Sequence, residues 1–141
     1  MKNSMTDLSL AFAAGAAGGV LNGLVVWLSG LIGITGACGV QIAPALTILF
    51  IYQKVVWGGL WGFIFLLPIV QRSTIPRGMI LSLAPTLVQL LVVFPFHLQK
   101  GWLGLSLGIL TPVFVVVFNL VWGVAAAVWF GMSGGKSGRR S

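Results

Sequence analysis

The chain has almost no acidic residues: Asp7 carries its only carboxylate side chain, and glutamate is absent from all 141 positions. Histidine and cysteine each occur once, as His97 and Cys38. General acid–base pairs, nucleophile triads and metal sites each need several such groups close together. The sequence therefore predicts a protein that is not an enzyme and that binds neither a metal nor another cofactor.

A single cysteine excludes an internal disulfide and a cysteine-ligated metal cluster. We expect Cys38 to be a small apolar residue in a contact between helices. Carboxylates within the membrane are the usual proton carriers of transporters, and Asp7 precedes the first apolar stretch. Proton-coupled transport is therefore not expected.

Charged residues of any kind are scarce, at 6% of the chain, whereas 58% of the residues are hydrophobic. The mean hydropathy is +1.08. A soluble domain carries about 25% charged residues, so a chain this apolar belongs in lipid. The net charge of +7 does not indicate nucleic-acid binding, because the basic residues lie at the ends of apolar stretches, as they do in membrane proteins.

Four apolar stretches are each near or above the roughly 20 residues that cross a bilayer. They predict an all-α integral membrane protein, a bundle of four transmembrane helices in one domain over residues 1–132. The first stretch continues far past the small residues at 11–13, so we expect a retained helix rather than a cleaved signal peptide. The small, polar, basic tail at 133–141 is expected to be disordered and cytoplasmic. The predicted helices are 8–34, 42–70, 78–96 and 103–131.

The second stretch is long for one span and contains Pro44. Three alternatives follow for it: a tilted helix, a helix kinked at Pro44, or a helix preceded by an interfacial or re-entrant segment. The fourth stretch is similarly long and has Pro112 near its start.

The basic residues predict the orientation. With four spans both termini share a side, and the opposite side has only Lys100, with Lys54 unassigned. The positive-inside rule then places both termini in the cytoplasm, for a multi-pass protein of the plasma membrane, here a bacterial inner membrane. The bases on the side of the termini are Lys2, Arg72, Arg77, Lys136, Arg139 and Arg140.

Residues 36–65 resemble residues 101–130 at an offset of 65 positions, with six identities where chance gives about three. The step Val-Trp-Gly recurs, so Trp57 corresponds to Trp122, and Lys54 corresponds to Asn119. One interpretation is a duplicated two-helix hairpin, in which the small residue places each tryptophan against a neighbouring helix. The other is that Trp-Gly recurs because both residues are common in transmembrane helices. Both interpretations stay open.

A stripe of small residues follows one face of the first helix. Ala11, Gly15, Gly19 and Gly23 recur at every fourth position. The pair Gly58 and Gly62 forms a shorter stripe in the second helix. Small residues at this spacing let two helix backbones approach closely, so the stripe predicts a tight interface. Its partner is the second helix, the fourth helix or another protein.

Lys54 is the one charged residue inside an apolar stretch, and the amide residues Asn22, Gln89 and Asn119 are expected near the middle of the membrane. Lys54 has no acid within the membrane to pair with, and its stem is long enough to reach the interface, where Tyr52 and Trp57 would be belt residues. Alternatively it contacts an anionic lipid, a substrate or an acid supplied by a partner. The three amides are expected to form structural hydrogen bonds, or to line a permeation path with Lys54 if the four converge.

Three functions fit these features. The first is a non-catalytic accessory or structural subunit that packs against another membrane protein, or against itself, through the small-residue face. The second is a small homo-oligomeric channel or transporter that uses the polar residues around Lys54. The third is a lipid-binding membrane protein in which Lys54 and the basic cytoplasmic loop meet anionic headgroups. The bilayer is the one certain partner, and nucleic acid is excluded.

Overall fold

The computed structural model describes residues 4–134, which are helical with loop connections and contain no β-strand. Four helices are long and apolar enough to cross a membrane. This confirms the prediction of an all-helical chain with four such helices, and it points to a multi-pass membrane protein. The four are α1 (Ser4–Leu31), α2 (Ile48–Leu66), α3 (Thr74–His97) and α4 (Thr111–Met132).

Helix α2 begins six residues later than predicted, because residues 40–47 have no regular secondary structure. The residue before a proline disfavours helical backbone, which keeps Ala43 out of a helix. The Thr47 hydroxyl then accepts a hydrogen bond from the Phe50 amide at 3.0 Å and caps the new helix. Residues 42–47 are therefore not part of α2, and an interfacial or re-entrant segment before the helix stays a prediction for this stretch. The last turn of α2, Phe63–Leu66, is a 3₁₀ turn.

Helix α4 begins at Thr111, eight residues later than predicted, and Pro112 lies in its first turn. Before it, the backbone has positive φ angles at Gly101, Leu103, Gly104 and Gly108. Such angles are incompatible with a right-handed helix, so residues 101–110 form an irregular connection.

Helix α3 begins at Thr74, four residues earlier than predicted, which moves Arg77 from the expected loop into the helix. Pro76 lies in the first turn, where its missing amide costs no helical hydrogen bond. From Gln89 onward the helix widens into π-helical turns that continue to His97 and contain Pro95. The Leu98 amide, for example, donates to the Val93 carbonyl oxygen five residues before it.

The helices contact one another in the order α2–α1–α4–α3, so α1 and α4 are the inner pair. A compact apolar cluster fills the half of the molecule nearest the termini, with Trp122 and Phe65 at its centre. A smaller cluster of Leu90, Phe94 and Val115 lies in the opposite half. Residues 135–141 and Lys2, which carry several of the predicted cytoplasmic charges, lie outside the described residues.

Candidate ligand cavity

A cavity of about 440 Å³ lies among the four helices, in the half of the molecule that contains the two connections 32–47 and 98–110. All four polar residues singled out in the sequence line it: Asn22 of α1, Lys54 of α2, Gln89 of α3 and Asn119 of α4. Each lies six to nine positions from the helix end at that side, a depth of about 9–14 Å at 1.5 Å per residue. The remaining lining residues are Val26, Gln41, Ile42, Ala43, Pro44, Phe50, Phe94, Leu107, Val115 and Phe118.

The small-residue stripe of α1 holds α2 in contact and so sets the position of Lys54. A Cβ on Gly58 would lie 2.6 Å from the Gly15 carbonyl oxygen, and one on Gly15 would lie 2.6 Å from the Gly62 Cα. A Cβ on Gly19 would collide with the Lys54 carbonyl oxygen. The predicted stripe therefore meets α2.

The two ends of the stripe complete this contact. Near the termini, the Ala11 carbonyl oxygen lies against Gly62, where a Cβ would collide with it. At the other end, a Cβ on Gly23 would lie 3.0 Å from the Lys54 Cγ. The lysine stem thus passes over Gly23 as it leaves the helix contact.

Lys54 has no anionic partner in the part of the chain that the structure describes. Its ammonium lies 5.5 Å from the centre of the Phe50 ring, and among residues 4–134 it has no hydrogen bond or ion pair. The only acid in the sequence, Asp7, is 12 positions before Gly19 on α1, a separation of about 18 Å along the helix. Lys54 is half-buried and lines the cavity, while Tyr52 and Trp57 on the same helix are exposed.

The amides form two sets of hydrogen bonds. The Asn22 Nδ2 donates to the Phe118 carbonyl oxygen at 2.7 Å, which ties α1 to α4. The Asn119 Nδ2 donates to the Thr86 Oγ1 at 3.0 Å and to the Gln89 Oε1 at 3.3 Å, which ties α4 to α3. The amides therefore act structurally and line the cavity as well.

The two connections meet over the cavity. The Gln41 amide donates to the Leu107 carbonyl oxygen at 2.9 Å. Gly108 lies against the backbone of Gly39, and a Cβ at Gly108 would lie 3.0 Å from the Val40 Cα. Since Gln41 and Leu107 both line the cavity, these segments cover its outer end.

The opposite half is closed around Arg77, a residue that the sequence reasoning placed in a loop. Arg77 is only 1% exposed, and its Nη2 donates to the carbonyl oxygens of Phe65 and, at 2.9 Å, Leu67. Its guanidinium also lies 5.5 Å from the centre of the Phe65 ring and 6.0 Å from that of Phe130. Ser73 followed three residues later by Pro76 fits a helix start, because proline is tolerated in the first turn, and this signal could have placed Arg77 inside the helix.

The two repeat-related tryptophans have different environments. Trp122 is 4% exposed and donates from Nε1 to the Gly15 carbonyl oxygen at 3.1 Å, whereas Trp57 is 62% exposed. The expected contact with a neighbouring helix is therefore present for Trp122, and the expectation is wrong for Trp57. The paired glycines do behave alike, since Gly58 contacts α1 and Gly123 contacts α3.

Cys38 lies in the connection between α1 and α2 and is exposed, so its expected place in a helix contact is wrong. The reason is that the chain leaves the helical conformation after Leu31, apart from a single turn at Ile34–Ala37. His97 is exposed at the end of α3.

Comparison with known proteins adds no relative: no protein-family model, no curated protein and no solved structure matches the chain. The function has to be inferred from the cavity itself.

Proposed function

We propose that this protein is a small membrane transporter that binds an anionic solute in the cavity, with Lys54 as the group that recognises the charge. The supporting observation is that an ammonium with no counter-ion among residues 4–134 faces a cavity that four side-chain amides also line. A lysine at the centre of a membrane helix costs at least about 2.5–3.5 kcal/mol, and Lys54, about 9 Å from the end of α2, bears part of that cost. An anion entering the cavity offsets that cost, which gives the cavity a preference for negative charge.

A carrier accounts for the packing better than an open pore within one chain. None of the residues in the apolar cluster near the termini lines the cavity. That cluster, together with Arg77, closes the route toward the termini. Transport across it requires the helices to move between two arrangements, as in alternating access.

The direction of access depends on the orientation of the chain. If both termini are cytoplasmic, as the basic residues predict, the connections over the cavity face the outside of the plasma membrane. The structure then corresponds to a carrier whose binding site lies toward the outer surface.

The test is anion flux into proteoliposomes that contain the purified protein. We expect Lys54→Met to abolish saturable uptake, because it removes the charge and keeps an unbranched apolar side chain, and Lys54→Arg to retain part of it. Lys100→Met removes an exposed positive charge from the α3–α4 connection and is the matched control. We expect it to transport like the wild type.

Two results would contradict the proposal. One is the absence of anion uptake by folded wild-type protein across a panel of inorganic and organic anions. The other is uptake by Lys54→Met that equals the wild type, since the cavity would then select no charge through this residue. Size-exclusion profiles of the variants establish that each is folded.

An accessory subunit is the second candidate. The sequence feature that favoured it, the small-residue stripe of α1, is used for packing within the chain. The small-residue stripe that was to contact a partner is covered by α2. A partner would have to bind another surface, such as the one around Ile48 and Tyr52, which are exposed one turn apart on α2. Native mass spectrometry of protein gently extracted from its own membrane decides the matter, because a subunit carries other polypeptides with it and a carrier yields a monomer or a homo-oligomer.

A further inference from the structure

We propose that the solute is a small organic monocarboxylate with a compact, flat apolar body. This inference rests on the proposed function and adds the class of ligand. It follows from three properties of the cavity: its single charge, its aromatic walls and its spare amide groups.

The charge of the ligand follows from the lining of the cavity. Lys54 is the only charged residue among those that line it. A monoanion leaves the occupied site neutral, whereas a dianion leaves a negative charge with no second cation, which is costly away from water. A cation meets repulsion, and a neutral solute leaves the ammonium without a counter-ion.

The body of the ligand follows from the aromatic walls. Phe50, Phe94 and Phe118 line the cavity on three different helices. Phe94 and Phe118 are 4% and 6% exposed, so their positions are set by packing. Chloride or phosphate would leave these apolar surfaces without a contact, whereas a flat apolar body packs against aromatic rings. Ligand sites of about 300–1,000 Å³ hold small molecules, and the cavity falls in that range at about 440 Å³.

The side-chain amides of Gln89 and Asn119 can still form hydrogen bonds with one neutral polar group of the ligand. The Asn119 Nδ2 uses both of its hydrogens, on Thr86 and Gln89. Within residues 4–134, the Gln89 Nε2 and the Asn119 Oδ1 have no hydrogen-bond partner. A hydroxyl or amide on the ligand body can use this donor and this acceptor, so the site tolerates such a substituent.

A carboxylate on an apolar body has two sources, a soluble aromatic acid and a fatty acid from the membrane. The cover formed by Gln41 and Leu107 favours the soluble acid. An acyl chain would have to leave the cavity between helices, whereas a compact acid fits beneath the cover.

The experiment measures binding by isothermal titration to wild-type protein in nanodiscs of phosphatidylcholine, with four probes that share one ring. These are phenylacetate, its neutral isostere phenylacetamide, the cation phenethylamine and the dianion 1,4-phenylenediacetate. We expect phenylacetate to bind at least about tenfold more tightly than each of the other three. In Lys54→Met the preference over phenylacetamide should disappear, and in Lys100→Met it should be unchanged.

Decanoate and phosphate complete the set of probes. If decanoate binds and phenylacetate does not, the site belongs to lipid-derived acids and the soluble-acid proposal is overturned. Equal binding of phenylacetate and phenylacetamide, or tighter binding of the dianion, overturns the monocarboxylate assignment. Uptake of inorganic anions that depends on Lys54, with no binding of phenylacetate, overturns this inference and leaves the proposed function standing. If neither uptake nor binding occurs, both fail.

Discussion

Lys54 and Arg77 are both basic residues within apolar helices, and their surroundings differ. Arg77 donates to two carbonyl oxygens at the end of α2 and lies beside two aromatic rings. Lys54 has only the nearby Phe50 ring and otherwise faces the cavity. Arginine suits the first environment because its fork of donors reaches several acceptors at once. The contrast identifies Arg77 as a structural residue and Lys54 as the candidate for ligand recognition.

Replacing Arg77 with glutamine should lower the stability of the folded protein. The carbonyl oxygens of Phe65 and Leu67 would lose a charged donor, and such hydrogen bonds contribute roughly 1.5–3 kcal/mol each. Thermal unfolding in detergent measures the effect as a fall in the midpoint temperature.

The matched control is Arg72→Gln, which removes the same charge from an exposed position in the α2–α3 connection. We expect its midpoint to stay close to that of the wild type. Equal midpoints for the two variants would show that the Arg77 contacts do not stabilise the fold.

At the scale of the helices, α1 sets the positions of α2 and α4, because it contacts both of them closely. The stripe through Gly15 and Gly19 faces α2, while the adjacent residues Gly18 and Asn22 face α4. A Cβ on Gly18 would lie 2.7 Å from the Trp122 carbonyl oxygen. Two neighbouring stripes of small residues thus let α1 approach two helices, and the cavity lies where the stripes end at Gly23 and Asn22.

Substituting Gly15 with alanine should separate α1 from α2. The new Cβ would meet the backbone of both Gly58 and Gly62, which cannot yield as a flexible side chain can. Overpacking of this kind costs about 1–3 kcal/mol, so we expect a lower midpoint of thermal unfolding. Because the same contact positions Lys54, we also expect weaker binding of phenylacetate.

Gly36→Ala is the matched control, since a Cβ there would have nothing within 4 Å. It should unfold at the temperature of the wild type. If Gly15→Ala were as stable as Gly36→Ala, the close α1–α2 contact would be wrong.

The whole molecule is asymmetric along its helices. The half that contains the termini is filled by the apolar cluster and Arg77, and the other half contains the cavity under its cover. The orientation of the chain in the membrane therefore decides from which side the cavity can take up a solute. The basic residues predict that the cavity faces outward.

Cys38 tests this orientation without a new cysteine, because it is the only cysteine in the sequence and is exposed in the α1–α2 connection. A membrane-impermeant maleimide should label it in intact cells. In a Cys38→Ser background, Arg72→Cys reports the opposite side and should be labelled only after lysis. The reverse pattern would place the termini outside.

Several features could be predicted from the sequence because they depend on short stretches of chain. An apolar stretch of about 20 residues crosses a membrane whatever it packs against, so four helices followed from hydropathy alone. Polar residues are costly within such stretches, which marked Lys54, Asn22, Gln89 and Asn119 as candidates. The spacing of the small residues in α1 predicted a close helix contact, although not its partner.

Helix ends and the places of individual side chains were predicted less well. The late starts of α2 and α4 depend on Thr47 and on residues with positive φ such as Gly108, which hydropathy does not register. Trp57 and Trp122 occupy matching positions in the repeat, yet only Trp122 faces another helix. The difference arises because α4 lies between two helices while α2 packs mainly against one.

The sequence by itself determined the apolar environment, the number of helices and the chemical character of the candidate residues. Only the tertiary structure decided that the four polar side chains line one cavity, that Arg77 is buried and that the small-residue stripe meets α2. The reason is that a contact such as that of Asn22 with Phe118 joins residues 96 positions apart. It depends on how each helix is rotated about its axis and on its place in the order α2–α1–α4–α3, which packing of the whole chain sets.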